Sequence, residues 1–259
     1  MKTNQILCIA LLIFSCSDDD APIPNIVEAA CLTNTLGNSI IAFYPFNSGA
    51  LTDESGDNHN LLNTTNATST LDRNGNANCA FLFDNRTSQS EYLSINDASF
   101  LDGLNEFSVS LWYQITNDDV ESFSTLQGLV ERGMERHCGD KNGEWSLGLS
   151  DCSKAVFGHS NSVWANPMID GCQEQLDAQL DIWRHVVAVY NGNNSKIYID
   201  GVLNGEANGN PNCNGNDIES KDLFIGFNFT GAIDDIIIYD RELSPSEVSD
   251  LFQADTCCE

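Results

Sequence analysis

Residues 231 to 252, "GAIDDIIIYDRELSPSEVSDLF", decide how this chain folds. Ile236, Ile237 and Ile238 form the β-branched run that suits a strand, and two adjacent carboxylates, Asp234 and Asp235, stand at its head. The run stops at "RELSPSEV", where Ser244 is placed to cap a helix, Pro245 to open it and Glu247 to complete a Ser-x-x-Glu capping box before Val248, Leu251 and Phe252. A last strand and one short amphipathic helix are therefore expected. The carboxylates need an explanation, because strand alternation sends Asp234 and Asp235 to opposite faces.

Upstream, the pattern is that of short strands. In "FSVSLWYQI", Phe107, Val109, Leu111, Tyr113 and Ile115 point one way and Ser108, Ser110, Trp112 and Gln114 the other, the period of a strand with one buried face. "SKIYIDGVLNG" places Asp200-Gly201 between two extended runs, a two-residue hairpin signal. Further strands are expected at "SIIAFYPF", "NCAFLFD", "EYLSI", "GLVERG", "EWSLGL", "AVFGHS", "WRHVVAVY" and "DLFIGF". Strands in this number predict an all-β, two-sheet antiparallel sandwich with one C-terminal helix. A hydrophobic content of 41% with 13 Phe and 4 Trp supplies a core, which a disordered acidic chain would lack.

The N-terminus reads as an address. Lys2 precedes an apolar run from Ile6 to Phe14, too short for the ~20 residues of a spanning helix. "IFSC" resembles a bacterial lipoprotein signal with Cys16 as the lipidated residue, and the following "SDDD" resembles the export tag of surface lipoproteins. The division expected is residues 1–15 as signal, 16–30 as acidic tether and 31–259 as the domain. An ordinary cleaved leader is the alternative, and both send the product out of the cytoplasm. Eight cysteines beyond the leader, Cys31, Cys79, Cys138, Cys152, Cys172, Cys213, Cys257 and Cys258, agree with an exported, disulfide-bonded chain, and spacing alone does not choose among their pairings.

The formal charge is −27, and removal of Lys2 leaves 10 basic against 38 acidic residues, or −28. Such a polyanion repels nucleic acid and anionic lipid and favours cations. Membrane contact is expected only through the anchor.

The segments together resemble the laminin-G-like, concanavalin A-like jelly-roll family of bacterial surface and glycan-utilisation proteins. "IAFYPFNSGALTDESGDNHNLLN", "RNGNANCAFLFDN", "FSVSLWYQI", "WRHVVAVYNGNNSKIYIDGVLNG" and the closing "GAIDDIIIYDRELSPSEVSDLF" carry the likeness. The resemblance implies a jelly-roll platform that binds an extracellular glycan or glycoconjugate without altering it, or alternatively a protein-binding adhesion module. It also sets the first and last strands side by side. From this follows a bond from Cys31 to Cys257 or Cys258, with Cys79 taking the other terminal cysteine. It further lets Asp53 and Asn58, in the loop after the first strand, converge with Asp234 or Asp235 on a structural Ca²⁺, a hard cation that takes 6 to 8 oxygens. For glycan stacking the candidates are Trp164 and Trp145, with His159 nearby; Trp145 opens an apolar strand, where a ring more often packs than serves as a platform. A glycan-cleaving enzyme has less support: no glutamate is followed two residues later by aspartate, and Glu131 and Glu135 are the nearest acidic pair.

Overall fold

The computed structural model describes residues 26–33, 35–86, 90–116, 126–133, 141–142, 144–150, 154–159, 165, 180–208, 216–217 and 221–258. Its strands are β1 (Ile40–Tyr44), β2 (Thr68–Thr70), β3 (Ala80–Phe83), β4 (Leu93–Ile95), β5 (Phe107–Ile115), β6 (Gln127–Arg132), β7 (Lys141–Asn142), β8 (Trp145–Ser150), β9 (Lys154–His159), β10 (Trp183–Tyr190), β11 (Asn194–Ile199), β12 (Val202–Asn208), β13 (Asn216–Asp217), β14 (Leu223–Ile225) and β15 (Gly231–Tyr239), followed by helix α1 (Pro245–Gln253). One sheet runs β12-β11-β10-β5-β15-β3-β2, with β1 also paired to β15, and a second runs β4-β14-β6-β8-β9. Both are antiparallel; β7 and β13 make a separate two-residue parallel pair. The architecture is the expected jelly-roll sandwich with a single short C-terminal helix among the described residues.

Alternation places the core between the sheets. Phe107, Val109, Leu111, Tyr113 and Ile115 of β5 face Leu147, Leu149, Phe157, Leu223 and Ile225 of the smaller sheet in one buried cluster. Each side chain of this kind contributes about 1.5–3 kcal/mol by leaving water. The β11–β12 hairpin turns at Asp200 and Gly201, with φ of 48° and 79°, as an Asp-Gly turn requires.

A third layer covers the outer face of the larger sheet. Val187, Val189, Ile237 and Tyr239 from its strands pack on Val248 and Leu251 of α1, on Val27 and Leu36, and on Cys257. Ser244 caps α1, accepting from the Glu247 amide while the Glu247 carboxylate accepts from the Ser244 amide. The N-terminal segment joins the same layer: Ile26 bridges Asn38, and Val27 donates to the Gly37 carbonyl. Residues 26–30, counted with the tether on sequence, therefore belong to the folded unit.

β15 is central, and its pairing explains its carboxylates. Ile233 and the two residues before it pair with β3, whereas Ile236 to Tyr239 pair with β1. Asp234 and Asp235 fall at the handover between these two partners. There the register with β5 slips between Asp234 and Ile237, and Asp235 takes a left-handed φ of 46°: a β-bulge. The extra residue lets Ile233 and Ile236 both enter the inter-sheet core, which leaves both carboxylates on the outer face. Regular alternation, which placed them on opposite faces, does not hold here because the bulge absorbs one step of it.

Candidate functional site

The outer face of the smaller sheet carries a row of side chains that do not belong to the core. Ser94 on β4, Phe224 on β14, Glu131 on β6, Ser146 on β8 and Gly158 on β9 are mutual cross-strand neighbours. Their sequence neighbours Leu93, Leu223, Ile225, Val130, Leu147 and Phe157 point into the sandwich, so the row points out. Ser146 Oγ donates to Glu131 Oε1 at 2.9 Å. The glutamate lies back over Gly128, where a Cβ would meet its carboxyl carbon at 2.4 Å, so this position admits only glycine without displacing Glu131.

At the β4–β14 end of the row three rings meet. Tyr92 and Phe224 stand edge to face with centroids 5.4 Å apart, and Phe227 lies 5.8 Å from Tyr92 and 5.9 Å from Phe224. Phe224 is buried, while Tyr92 and Phe227 are half-buried. Asn85 holds this end in place: its side-chain amide donates to the carbonyls of Glu91, Gly226 and Phe229, and its side-chain oxygen accepts from the Glu91 amide. Thr65 pins Tyr92 from the other side, its hydroxyl donating to the Tyr92 carbonyl and accepting from the Tyr92 amide. Sequence reasoning passed over the trio because it sought tryptophans. The available signal was the large aromatic on the polar side of "EYLSI" and "DLFIGF".

Trp145 and His159 face the other way. Trp145 is 3% exposed and packs 5.3 Å from Phe107, and His159 stacks on Tyr190 with centroids 4.1 Å apart. Burial, and secondarily the charge of Arg132, lowers the His159 pKa to about 4, so the ring is neutral. Neither can offer a ring face to a sugar, because cross-strand alternation turns both into the inter-sheet core. Trp164 lies outside the described residues.

The proposed metal ligands do not converge. Asp53 is buried and spends its oxygens on its own loop, accepting from the amides of Phe43, Ser55 and His59 at 2.9 Å and from Ser55 Oγ at 2.8 Å. Asn58 Nδ2 reaches only the Gly56 carbonyl, at 3.4 Å. Asp234 and Asp235 face a guanidinium: Arg73 Nη1 lies 3.1 Å from Asp234 Oδ2 and 2.5 Å from Asp235 Oδ2. Among the described residues no group of three or more His, Cys, Asp or Glu side chains is arranged to hold a metal ion. The candidate ligands are thus engaged in two separate places, Asp53 by amides of its own loop and Asp234 with Asp235 by Arg73.

Two disulfides close the chain near this point. Cys31 bonds Cys257 and Cys79 bonds Cys258, with Cα separations of 5.0 and 5.5 Å. Cys16, Cys138, Cys152, Cys172 and Cys213 lie outside the described residues. Among the described residues no helix is long and apolar enough to cross a membrane.

Solved structures share this architecture. Domain 4 of an extracellular arabinanase from Geobacillus stearothermophilus, solved in complex with arabinotriose, is 21% identical with a TM-score of 0.59, covering 83% of this chain and 98% of that one. The botulinum neurotoxin serotype C1 binding domain is 18% identical with a TM-score of 0.59, over 83% of this chain and 52% of that one. A structure titled for the dependence of type C neurotoxin cell entry on two ganglioside molecules is 17% identical with a TM-score of 0.60, over 83% and 51%. The chain thus spans about half the length of these toxin domains. No curated protein matches it significantly. Residues 85–249, well over half the chain, match the sequence family Laminin_G_3, and the chain belongs to this family of the concanavalin A-like lectin/glucanase superfamily.

Proposed function

We propose that this domain is an extracellular, non-catalytic glycan-binding module and that the ring cluster of Tyr92, Phe224 and Phe227 is its stacking platform. One observation carries the reading: three aromatic rings in mutual contact on the outer face of a sheet, two of them half-buried, at the end of a buried polar row of Ser94, Glu131 and Ser146. Sugar rings present apolar C–H faces between hydroxyls, so they bind best to flat apolar surfaces flanked by hydrogen-bonding groups. The arabinotriose complex of the similarly folded arabinanase domain supports the ligand class. A formal charge of −27 disfavours acidic polysaccharides. Trp164 stays a second stacking candidate.

Cleavage would need two carboxylates flanking the glycosidic bond. Glu131 Oε1 is taken by Ser146, and Glu135 lies outside the described residues. The leader supports lipidation at Cys16 and display on the outer membrane or cell surface, with the two disulfides in keeping with an oxidising compartment.

Affinity electrophoresis through arabinan and other neutral polysaccharides tests the site. Retardation by at least one of them is expected, weakened tenfold or more in Phe227→Ala and in Tyr92→Ala without release of reducing ends. Unchanged retardation in the double variant would refute the platform; no retardation by any polysaccharide would favour the adhesion alternative, and reducing-end release would establish an enzyme.

A further inference from the structure

We infer that Arg73 is the fixed cation of the carboxylate cluster at the head of the last strand, standing where a divalent metal would otherwise have to stand, so that closure of the two chain ends over the larger sheet needs no metal.

Arg73 sits at the tip of the β2–β3 hairpin and is positioned by Asp72, whose carboxylate accepts from the amides of Asn74 and Asn76, from Asn76 Nδ2 and from Thr256 Oγ1. The guanidinium lies over the Trp112 ring, 4.5 Å from its centroid, and Phe252 stacks on the same ring. One end nitrogen reaches Asp234 and Asp235; the other reaches the Ala254 carbonyl at 3.4 Å. The single side chain therefore joins the β15 bulge, the sheet face, the hairpin and the C-terminal tail. Its side chain is 9% exposed and those of its partners 0% and 4%, so the pair is held out of water and screened little by salt.

The charge balance supports this role. Asp72, Asp234 and Asp235 are all buried around one arginine, His185 stands 1% exposed beside Trp112, and the exposed Asp255 accepts from Asn74 at the rim. Asp235 also accepts from the Cys257 amide, whereas Asp234 Oδ1 is buried without a hydrogen-bond partner. Burial first, and then the Asp235 charge, pushes the Asp234 carboxyl well above the usual range. The guanidinium of Arg73 places one fixed positive charge among these carboxylates, within ion-pair distance of both Asp234 and Asp235. The left-handed Asp235 at the bulge brings both carboxylates to one side, within reach of that single guanidinium.

Thermal melts of the oxidised domain test the inference. Wild type should show no calcium-induced rise in melting temperature that depends on Asp235. Arg73→Ala should melt about 6–20 °C lower, the usual effect of orphaning a buried charge pair in a domain of this size. Guanidinium at about 10 mM, far below denaturing concentrations, should restore part of that loss, and urea at the same concentration none. If Arg73→Ala does not fold, Arg73→Met/Asp234→Asn/Asp235→Asn, which removes charge from both sides, should fold. A melt of Arg73→Ala within about 2 °C of wild type would overturn the inference. So would failure of the triple variant to fold, or a calcium-induced rise in wild type that Asp235→Asn abolishes. A rise that survives in Asp235→Asn originates at other ligands and agrees with it.

Discussion

The backbone amide of Cys257 donates to both carboxylate oxygens of Asp235, at 3.0 and 3.3 Å, so the C-terminal tail docks into the bulge of the last strand at the residue that also carries a disulfide. The next residue, Cys258, bonds a different part of the chain, Cys79, the residue just before β3. Cys31–Cys257 spans 226 residues, worth about 5 kcal/mol in the chain-entropy treatment. With that bond in place, Cys79–Cys258 closes a smaller ring of about 50 residues, worth about 4 kcal/mol. Cys258→Ser should therefore cost slightly less than Cys257→Ser when each is made with its partner also changed to serine. Urea unfolding of the two double variants reads the difference, and non-reducing peptide maps check the pairing.

Much of this fold was legible because local signals agreed. The alternation of "FSVSLWYQI", the Asp-Gly turn and the Ser244–Glu247 capping box each fix an element without help from distant residues. The bulge was not legible. An acidic pair ahead of three isoleucines reads equally as regular strand or as slipped register, and only the handover from β3 to β1 decides it. Arg73 was missed for the same reason: it lies 161 and 162 residues from its partners, and nothing local marks an arginine in "DRNGN" as a counter-ion. Residue type marks Trp145 and His159 as candidates, but strand parity decides for packing, the role an apolar strand already favours for Trp145. The parity of "EWSLGL" sends Trp145 inward with Leu147 and Leu149, the same rule that sends Phe224 outward.

His185 should make the domain acid-sensitive. It is buried against Ser110 Oγ, and burial, then the charge of Arg73, lowers its pKa to about 3. Between that value and about 6.5 the unfolded chain binds a proton the folded chain refuses, so stability falls as pH falls through this window. At pH 5 the loss is about 2 kcal/mol. Asp234 and Asp235, raised in the folded state, act in the opposite sense, since the folded chain then holds protons the unfolded chain has lost. In His185→Gln the decline in melting temperature from pH 7 to pH 5 should shrink or reverse; an unchanged decline would remove His185 from the account.

The ring trio separates stability from binding. Phe224, 7% exposed, should cost about 3–5 kcal/mol when changed to alanine, because a cavity opens beneath Tyr92. Phe227 is half-buried and should cost less, yet weaken glycan binding more per kcal/mol of stability lost. Paired melts and affinity gels on the two variants give that ratio directly. Equal ratios would mean that the cluster serves packing alone.

Asp53 should act as the organiser of the loop after β1. One carboxylate accepts four hydrogen bonds, including those from the Phe43 and His59 amides, and ties residues 53–59 to the strand edge. Asp53→Ala leaves several buried donors without an acceptor, each costing about 1–3 kcal/mol, so a loss of about 3–5 kcal/mol is expected after local relaxation. Asp53→Asn can keep one oxygen facing the Phe43 and Ser55 amides but turns an amine toward Ser55 Oγ and the His59 amide, so about half that loss is expected. A metal ligand would behave differently: both substitutions would be nearly silent in chelator and would lower stability only when calcium is present. Urea unfolding of wild type and the two variants, each with chelator and with millimolar calcium, separates the cases. The expected order is wild type, then Asn, then Ala, with the same spacing in both buffers.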